Sequence, residues 1–188
     1  GVALGIGDDA AIVRPPDGTS VALSLDTLVE GVHFPKQAPA RLVARRAFAV
    51  NLSDMAAMGA EPLCFTLGLT LPQSDDVWVA EFAAGLLESA KAANCPLVGG
   101  DTTRGPLAIT IQVHGFGEAQ ALLRRSSARV GDIICVTGTL GDAATALLLL
   151  GAESHLGTQF AFVSAPSESQ RQSLLDRYYT PQPMTDFA

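Results

Sequence analysis

The chain has 188 residues, 48% of them hydrophobic and 16% charged, with a net charge of −7. That length can bury a sizeable core, yet the longest apolar run, Ala143 to Leu150 with Thr145 inside it, is far too short to span a bilayer. No Lys/Arg run exceeds the pairs Arg45-Arg46 and Arg124-Arg125, which argues against a nucleic-acid surface.

Cys64, Cys95 and Cys135 are odd in number, far apart and without Cys-x-x-Cys spacing, so they read as small hydrophobes in a reducing, cytoplasmic setting rather than as disulfides or zinc ligands. The N-terminus shows no signal peptide. It opens on Gly1 rather than methionine, so residues before it are expected.

Along the chain, Val21, Leu23 and Leu25 alternate with Ala22, Ser24 and Asp26, the pattern of a half-buried strand. Ser24 and Asp26 share one of its faces, which alone reads as the polar outer face of a half-exposed sheet. Between Pro39 and Gly59 the period becomes helical. Val43, Ala47, Val50 and Ala57 fall on one stripe with Asp54, and Gly59 is the stop. A second strand, Phe65 to Leu71, is ended by Pro72. A long helix follows, capped by Ser74 or Asp75, with Val79, Phe82, Leu86 and Ala90 inward and Asn94-Cys95-Pro96 as its stop. The short strand Leu97-Val98 then leads into a loop at Gly99-Gly100-Asp101, and strands are predicted from Leu107 to Val113 and from Ile133 to Val136. A helix is predicted from Asp142 to Leu150 and another around Gln170 to Tyr178. Strands alternating with longer helices indicate an α+β or α/β architecture.

Four acidic clusters mark the first hundred residues: Gly7-Asp8-Asp9-Ala10-Ala11, Ser24-Leu25-Asp26-Thr27, Asn51-Leu52-Ser53-Asp54 and Gly99-Gly100-Asp101-Thr102-Thr103. Each has an ordinary reading when alone: a solvated turn, a polar strand face, a capping or ion-paired side chain, a glycine loop. Together they suggest a metal–phosphate site. Two carboxylates 4 Å apart repel by roughly 4 kcal/mol at an effective dielectric near 20, so convergence would call for a cation. Hard oxygen donors without convergent His or Cys point to Mg2+. The glycines of the fourth cluster would let backbone amides approach an anion, although the chain has neither a Walker loop nor a Rossmann fingerprint. His33 and Arg125 read either as ordinary loop residues or as phosphate contacts, His33 as a donor and Arg125 as a bidentate fork. His114, Trp78 and Arg104 carry no assigned role.

Taken in order, the segments Gly5–Ala11, Asp26–Phe34, Asn51–Ala60 and Gly99–Gly105 closely resemble the thiamine-monophosphate kinases, a branch of the aminoimidazole-ribonucleotide-synthetase superfamily. The resemblance runs from Gly5 to about Leu150. It implies an α+β fold, an α/β sandwich of the PurM-like kind. Residues 1–125 would be the N-terminal ATP- and Mg-binding and dimerisation domain, and 126–188 the incomplete beginning of a second α/β domain. The implied activity is direct, Mg2+-assisted transfer from ATP to thiamine monophosphate, giving thiamine diphosphate, by a homodimer and without a catalytic side chain. Carried over by motif, Asp9, Ser24, Asp26, Asp54 and Asp101 would hold several Mg2+ ions, Gly100, Asp101 and Arg125 would contact ATP, and His33 the acceptor. Leu25 stands where the family often has Thr, so a ligand there would be the main-chain carbonyl or absent. The second domain's further Asp-rich motif and Gly-Gly-Glu-Asp segment do not occur here. The alternatives are another superfamily synthetase, making selenophosphate or aminoimidazole ribonucleotide, or a non-catalytic nucleotide- and metal-binding dimerisation module.

Overall fold

The computed structural model describes residues 1–7, 10–151, 162 and 164–184. Four strands, β3 (Thr19–Val29), β4 (Glu61–Leu71), β5 (Leu97–Arg104) and β6 (Ala108–Glu118), form a mixed sheet in the order β3-β6-β4-β5. β6 runs antiparallel to both β3 and β4, while β4 and β5 are parallel. The parallel pair is joined through a helix, α2 (Asp76–Ala92), as a parallel crossover requires. An antiparallel pair at the N-terminus, β1 (Val2–Leu4) with β2 (Ile12–Val13), is too short to have been legible in the sequence.

One face of the sheet carries α2 and α1 (Ala40–Met58). Alternate β6 residues Ile109, Ile111 and Val113, each 0% exposed, share a single core with Val43, Ala47 and Phe48 of α1 and Phe82 and Leu86 of α2. The expected α+β class, with a mixed sheet and helices, is what the chain adopts. α2 begins at the predicted Asp75, whose side chain accepts from Trp78 N at 3.0 Å, and α1 ends at the predicted Gly59. Beyond the sheet come a 3-10 turn (Arg125–Ser127), α3 (Asp142–Leu149) and α4 (Glu168–Tyr179), the last opened by a capping box between Ser167 and Gln170. Tyr178 and Tyr179 of α4 are buried with Ala146 of α3 against Ala38 and Leu42.

Several expectations need correction. Gly99-Gly100-Asp101-Thr102-Thr103 is strand, part of β5, and not loop. Gly100 sits at φ +156°, and a Cβ there would fall 2.0 Å from the Leu67 carbonyl oxygen. The glycine that reads as a loop signal is what lets β5 approach β4. Ile133 to Val136 forms no strand. It pairs with none of the described strands, and without a ladder partner Ile133 and Ile134 stay 87% and 92% exposed. In α2 the inward position is Trp78, stacked on Phe82 at 5.1 Å, and Val79 is exposed. Cys64 and Cys95 are buried as small hydrophobes, whereas Cys135 is exposed. Burial pushes the Cys95 thiol up to about 12.

The β3 faces are the reverse of the simple polarity rule. Val21, Leu23 and Leu25 point outward, 47%, 59% and 55% exposed, while Ser24 and Asp26 are half-buried toward α1.

The α1–α2 contact is close enough to exclude a methyl group: a Cβ on Gly85 would lie 2.4 Å from the Arg41 carbonyl oxygen. Gly85→Ala is therefore expected to lower unfolding stability by about 1–3 kcal/mol through overpacking, despite alanine's better helix propensity. Denaturant unfolding checks this, and a variant as stable as the parent would show that the helices can part without loss.

Candidate functional site

An α-helix laid across a sheet normally meets it with apolar side chains. The α1–β3 seam instead has a polar patch between the apolar Ala22 and Leu28. Asn51, 1% exposed, is the only buried polar residue among those described. Its Oδ1 accepts from the Asp26 main-chain N–H at 3.1 Å and its Nδ2 donates to the Ala47 carbonyl at 2.9 Å. The first bond satisfies an amide on the free edge of β3, and the second returns the amide side chain to its own helix one turn earlier. Beside it, Ser24 Oγ donates to Asp54 Oδ2 at 2.5 Å. Ser24, Asp26 and Asp54 are thereby gathered at one seam, with Asn51 holding strand and helix together.

The sequence expectation puts Asp54 on the inward stripe of α1. The structure puts Asn51 there and leaves Asp54 and Ala57 exposed. Three residues turn an α-helix by about 300°, so Asp54 is displaced by about 60° from Asn51 and meets the edge of β3 rather than the core. Asn51 belongs to the third motif, and its spacing from Ala47 was the signal that could have found it.

Gly99, Gly100 and Asp101 occupy a second place. A cleft of about 500 Å³ is lined by Gly7, Ala10, Thr66, Gly99, Gly100 and Asp101, so the first and fourth motifs converge. Asp8 and the expected ligand Asp9 fall between two of its lining residues but lie outside the described residues. β3 and β5 are opposite edges of the sheet; three strand spacings separate Asp26 from Asp101 by about 14 Å. Register separates them further. Asp26 stands in the row of Ile111 and Leu67, Asp101 in the next row with Gly68, Thr110 and Thr27, which belongs to the face turned away from α1. The chain thus brings Ser24, Asp26 and Asp54 together and keeps Asp101 apart from them. Among the described residues no three His, Cys, Asp or Glu side chains gather tightly enough to hold one metal ion.

His33 lies in the turn that leaves β3. Its main-chain N–H donates to the Val29 carbonyl at 2.9 Å, and its Nδ1 accepts from Val29 N–H at 3.0 Å. The neutral ring therefore carries its proton on Nε2. Arg125 is exposed in the 3-10 turn just after Leu123, whose N–H donates to the Met58 carbonyl at 2.8 Å. That bond pins its segment to the end of α1, about one turn beyond Asp54.

Comparison with known proteins bears on what these two places do. Residues 7–119 match the family described as AIR synthase related protein, N-terminal domain. The thiamine-monophosphate kinase of Escherichia coli strain K12 is 51% identical over 150 residues, 79% of this chain and 46% of that protein. The crystal structure of the thiamine-monophosphate kinase of Stenotrophomonas maltophilia K279a superposes with a TM-score of 0.83 at 41% identity, covering 99% of this chain and 57% of that one. A solved complex of AaThiL with AMPPCP and TMP gives a TM-score of 0.79 at 31% identity over 97% of this chain and 55% of that one. The chain spans about half the length of the curated relatives it matches.

Asn51 has no solvent to replace its partners. Asn51→Ala is expected to lower stability by about 1–3 kcal/mol, the desolvation penalty of a stranded amide, whereas Ser24→Ala on the half-exposed rim should change it by less than about 1 kcal/mol. Chemical denaturation of the two variants decides it, and equal losses would contradict Asn51's place at the centre of the seam.

Proposed function

The chain belongs to the AIR synthase related family, and from that membership we propose that it is the nucleotide- and metal-binding part of a cytoplasmic kinase transferring the γ-phosphoryl group of ATP to the phosphate of thiamine monophosphate. The likeness to thiamine-monophosphate kinases supports the choice of reaction. The observation that carries the chemistry is the approach of Ser24 Oγ to Asp54 Oδ2 at 2.5 Å on the face that also bears Asp26.

These donors fit a hard divalent cation. All are oxygens, as Mg2+ prefers. α1 has no basic residue in its last turn, so the negative end of the helix dipole adds to the Asp54 carboxylate instead of opposing it. In this reading Ser24, Asp26 and Asp54 hold one part of the Mg2+ set, and Asp101 with Asp9 another. When held by these oxygens, Mg2+ would supply neutralisation of the phosphate charge. The protein's own part is to position: Gly100 lets β5 lie against β4 while lining the cleft for the ATP phosphates, Arg125 supplies a bidentate fork, and His33 offers Nε2–H to the acceptor. Phosphoryl transfer rests on such positioning and charge neutralisation, with little for a protein nucleophile to do.

The same reading divides the chain near residue 125, close to where the family match ends, and makes the protein a homodimer. The support is the exposed apolar row Val21, Leu23 and Leu25 on the edge strand β3. Left open, such a row invites pairing or aggregation, and a second copy would cover it.

Asp54→Asn keeps the shape and removes the charge. In the full-length enzyme it should abolish Mg2+-dependent transfer to thiamine monophosphate while changing stability in metal-free buffer by less than about 1 kcal/mol, because a carboxylate is removed from an acidic neighbourhood. Near-normal turnover at saturating Mg2+ would sink the metal-ligand assignment.

A further inference from the structure

Tyr178 of α4 has no part in the chemistry above, yet it is completely buried, at 0% exposure. Its Oη donates to the His33 main-chain carbonyl at 2.6 Å across 145 residues of sequence. Arg46 of α1 secures it twice: Nη1 donates to the Tyr178 carbonyl at 2.6 Å, and the guanidinium lies 4.0 Å from the centre of the Tyr178 ring. The arrangement is an expensive one. Arg46 Nε is buried and lacks a hydrogen-bond partner among the described residues. Burial also lowers the guanidinium's pKa from its usual value, with the tyrosines acting the other way. A plain apolar contact would join α4 to α1 without stranding a donor.

What the clamp reaches is specific. The His33 turn is tied to the end of β3 from one side, by ring and main chain together, and to Tyr178 from the other. With Nδ1 engaged by Val29 N–H, the only free ring nitrogen is Nε2, and its direction is fixed by the turn. The ring itself is exposed, so without those ties it would sample several rotamers.

We propose that Tyr178, locked by Arg46, is a positioning residue that sets the His33 turn so that Nε2–H is aimed at the acceptor substrate. The proposal rests on the reading of His33 as an acceptor contact. It also makes α4, from the last stretch of the chain, part of the acceptor site's framework.

Tyr178→Phe removes one hydroxyl and keeps both the ring and the stacked guanidinium. In the full-length enzyme it should raise the KM for thiamine monophosphate about tenfold, the effect of one lost hydrogen bond, while kcat and the KM for ATP stay within about twofold. Arg46→Lys, which keeps charge but not the fork or the stack, should move the same constant in the same direction. If Tyr178 acts through His33, the double variant Tyr178→Phe/His33→Ala should be no worse than His33→Ala alone; additive losses would overturn the proposal, as would a Tyr178→Phe defect confined to kcat. Nitrogen-15 NMR of the histidines separates this from the reading beneath it. The His33 ring should be a single Nε2–H tautomer in the parent protein and a mixture in Tyr178→Phe, and an unchanged spectrum would overturn the positioning role whatever the kinetics show. An unchanged acceptor KM in His33→Ala, with the spectral change present, would instead remove His33 from the acceptor site and leave the clamp standing.

Discussion

One amide side chain decides how α1 sits on the sheet. Asn51 accepts from the outermost strand and donates to its own helix, and its side chain is itself buried. An apolar residue there would leave the Asp26 amide unpaired, and a carboxylate would face the Ala47 carbonyl. Because Asn51 fixes both the height and the rotation of the helix, Ser24 and Asp54 meet without further adjustment. The Ser24 and Asp54 oxygens lie at the rim, while Asn51, which registers them, is buried.

The charges of α1 run against its dipole. Arg41 and Arg45 stand near the N-terminal end and Asp54 near the C-terminal end, the reverse of the stabilising order. The two arginines are relieved by Glu88 of α2, which bonds both and whose carboxyl is held below its usual range by those hydrogen bonds. Among the described residues Asp54 has only the Ser24 hydroxyl. A carboxylate supported in this limited way is poor structural design and good cation binding, which is why the seam, more than the count of acidic motifs, supports the proposed chemistry.

Much of the fold was legible because its helices and antiparallel strands follow local rules: the Asp75 cap, the Gly59 stop, the period-2 run of β6. What failed had non-local causes. Gly99-Gly100 reads as a loop unless one knows that β4 runs alongside. Ile133 to Val136 has the composition of a strand and no partner. The faces of β3 are set by what covers each side, so Leu23 and Leu25 point out and Ser24 and Asp26 in. Ser24, Asp26 and Asp54, expected together, do lie along one seam, but one chain's sequence cannot say that Asp101 stands on the other edge of the sheet. Asn51 carries no charge to mark it in the sequence, and the partners of Tyr178 are 145 and 132 residues away.

The most direct test is to locate the metal. Full-length protein crystallised with Mn2+ and a non-hydrolysable ATP analogue, with manganese identified by its anomalous scattering, should show an ion bound by Asp54 at the α1–β3 seam and another in reach of Asp101. Manganese at neither Asp54 nor Asp26, with the seam's Ser24–Asp54 hydrogen bond intact beside a bound nucleotide, would contradict the account.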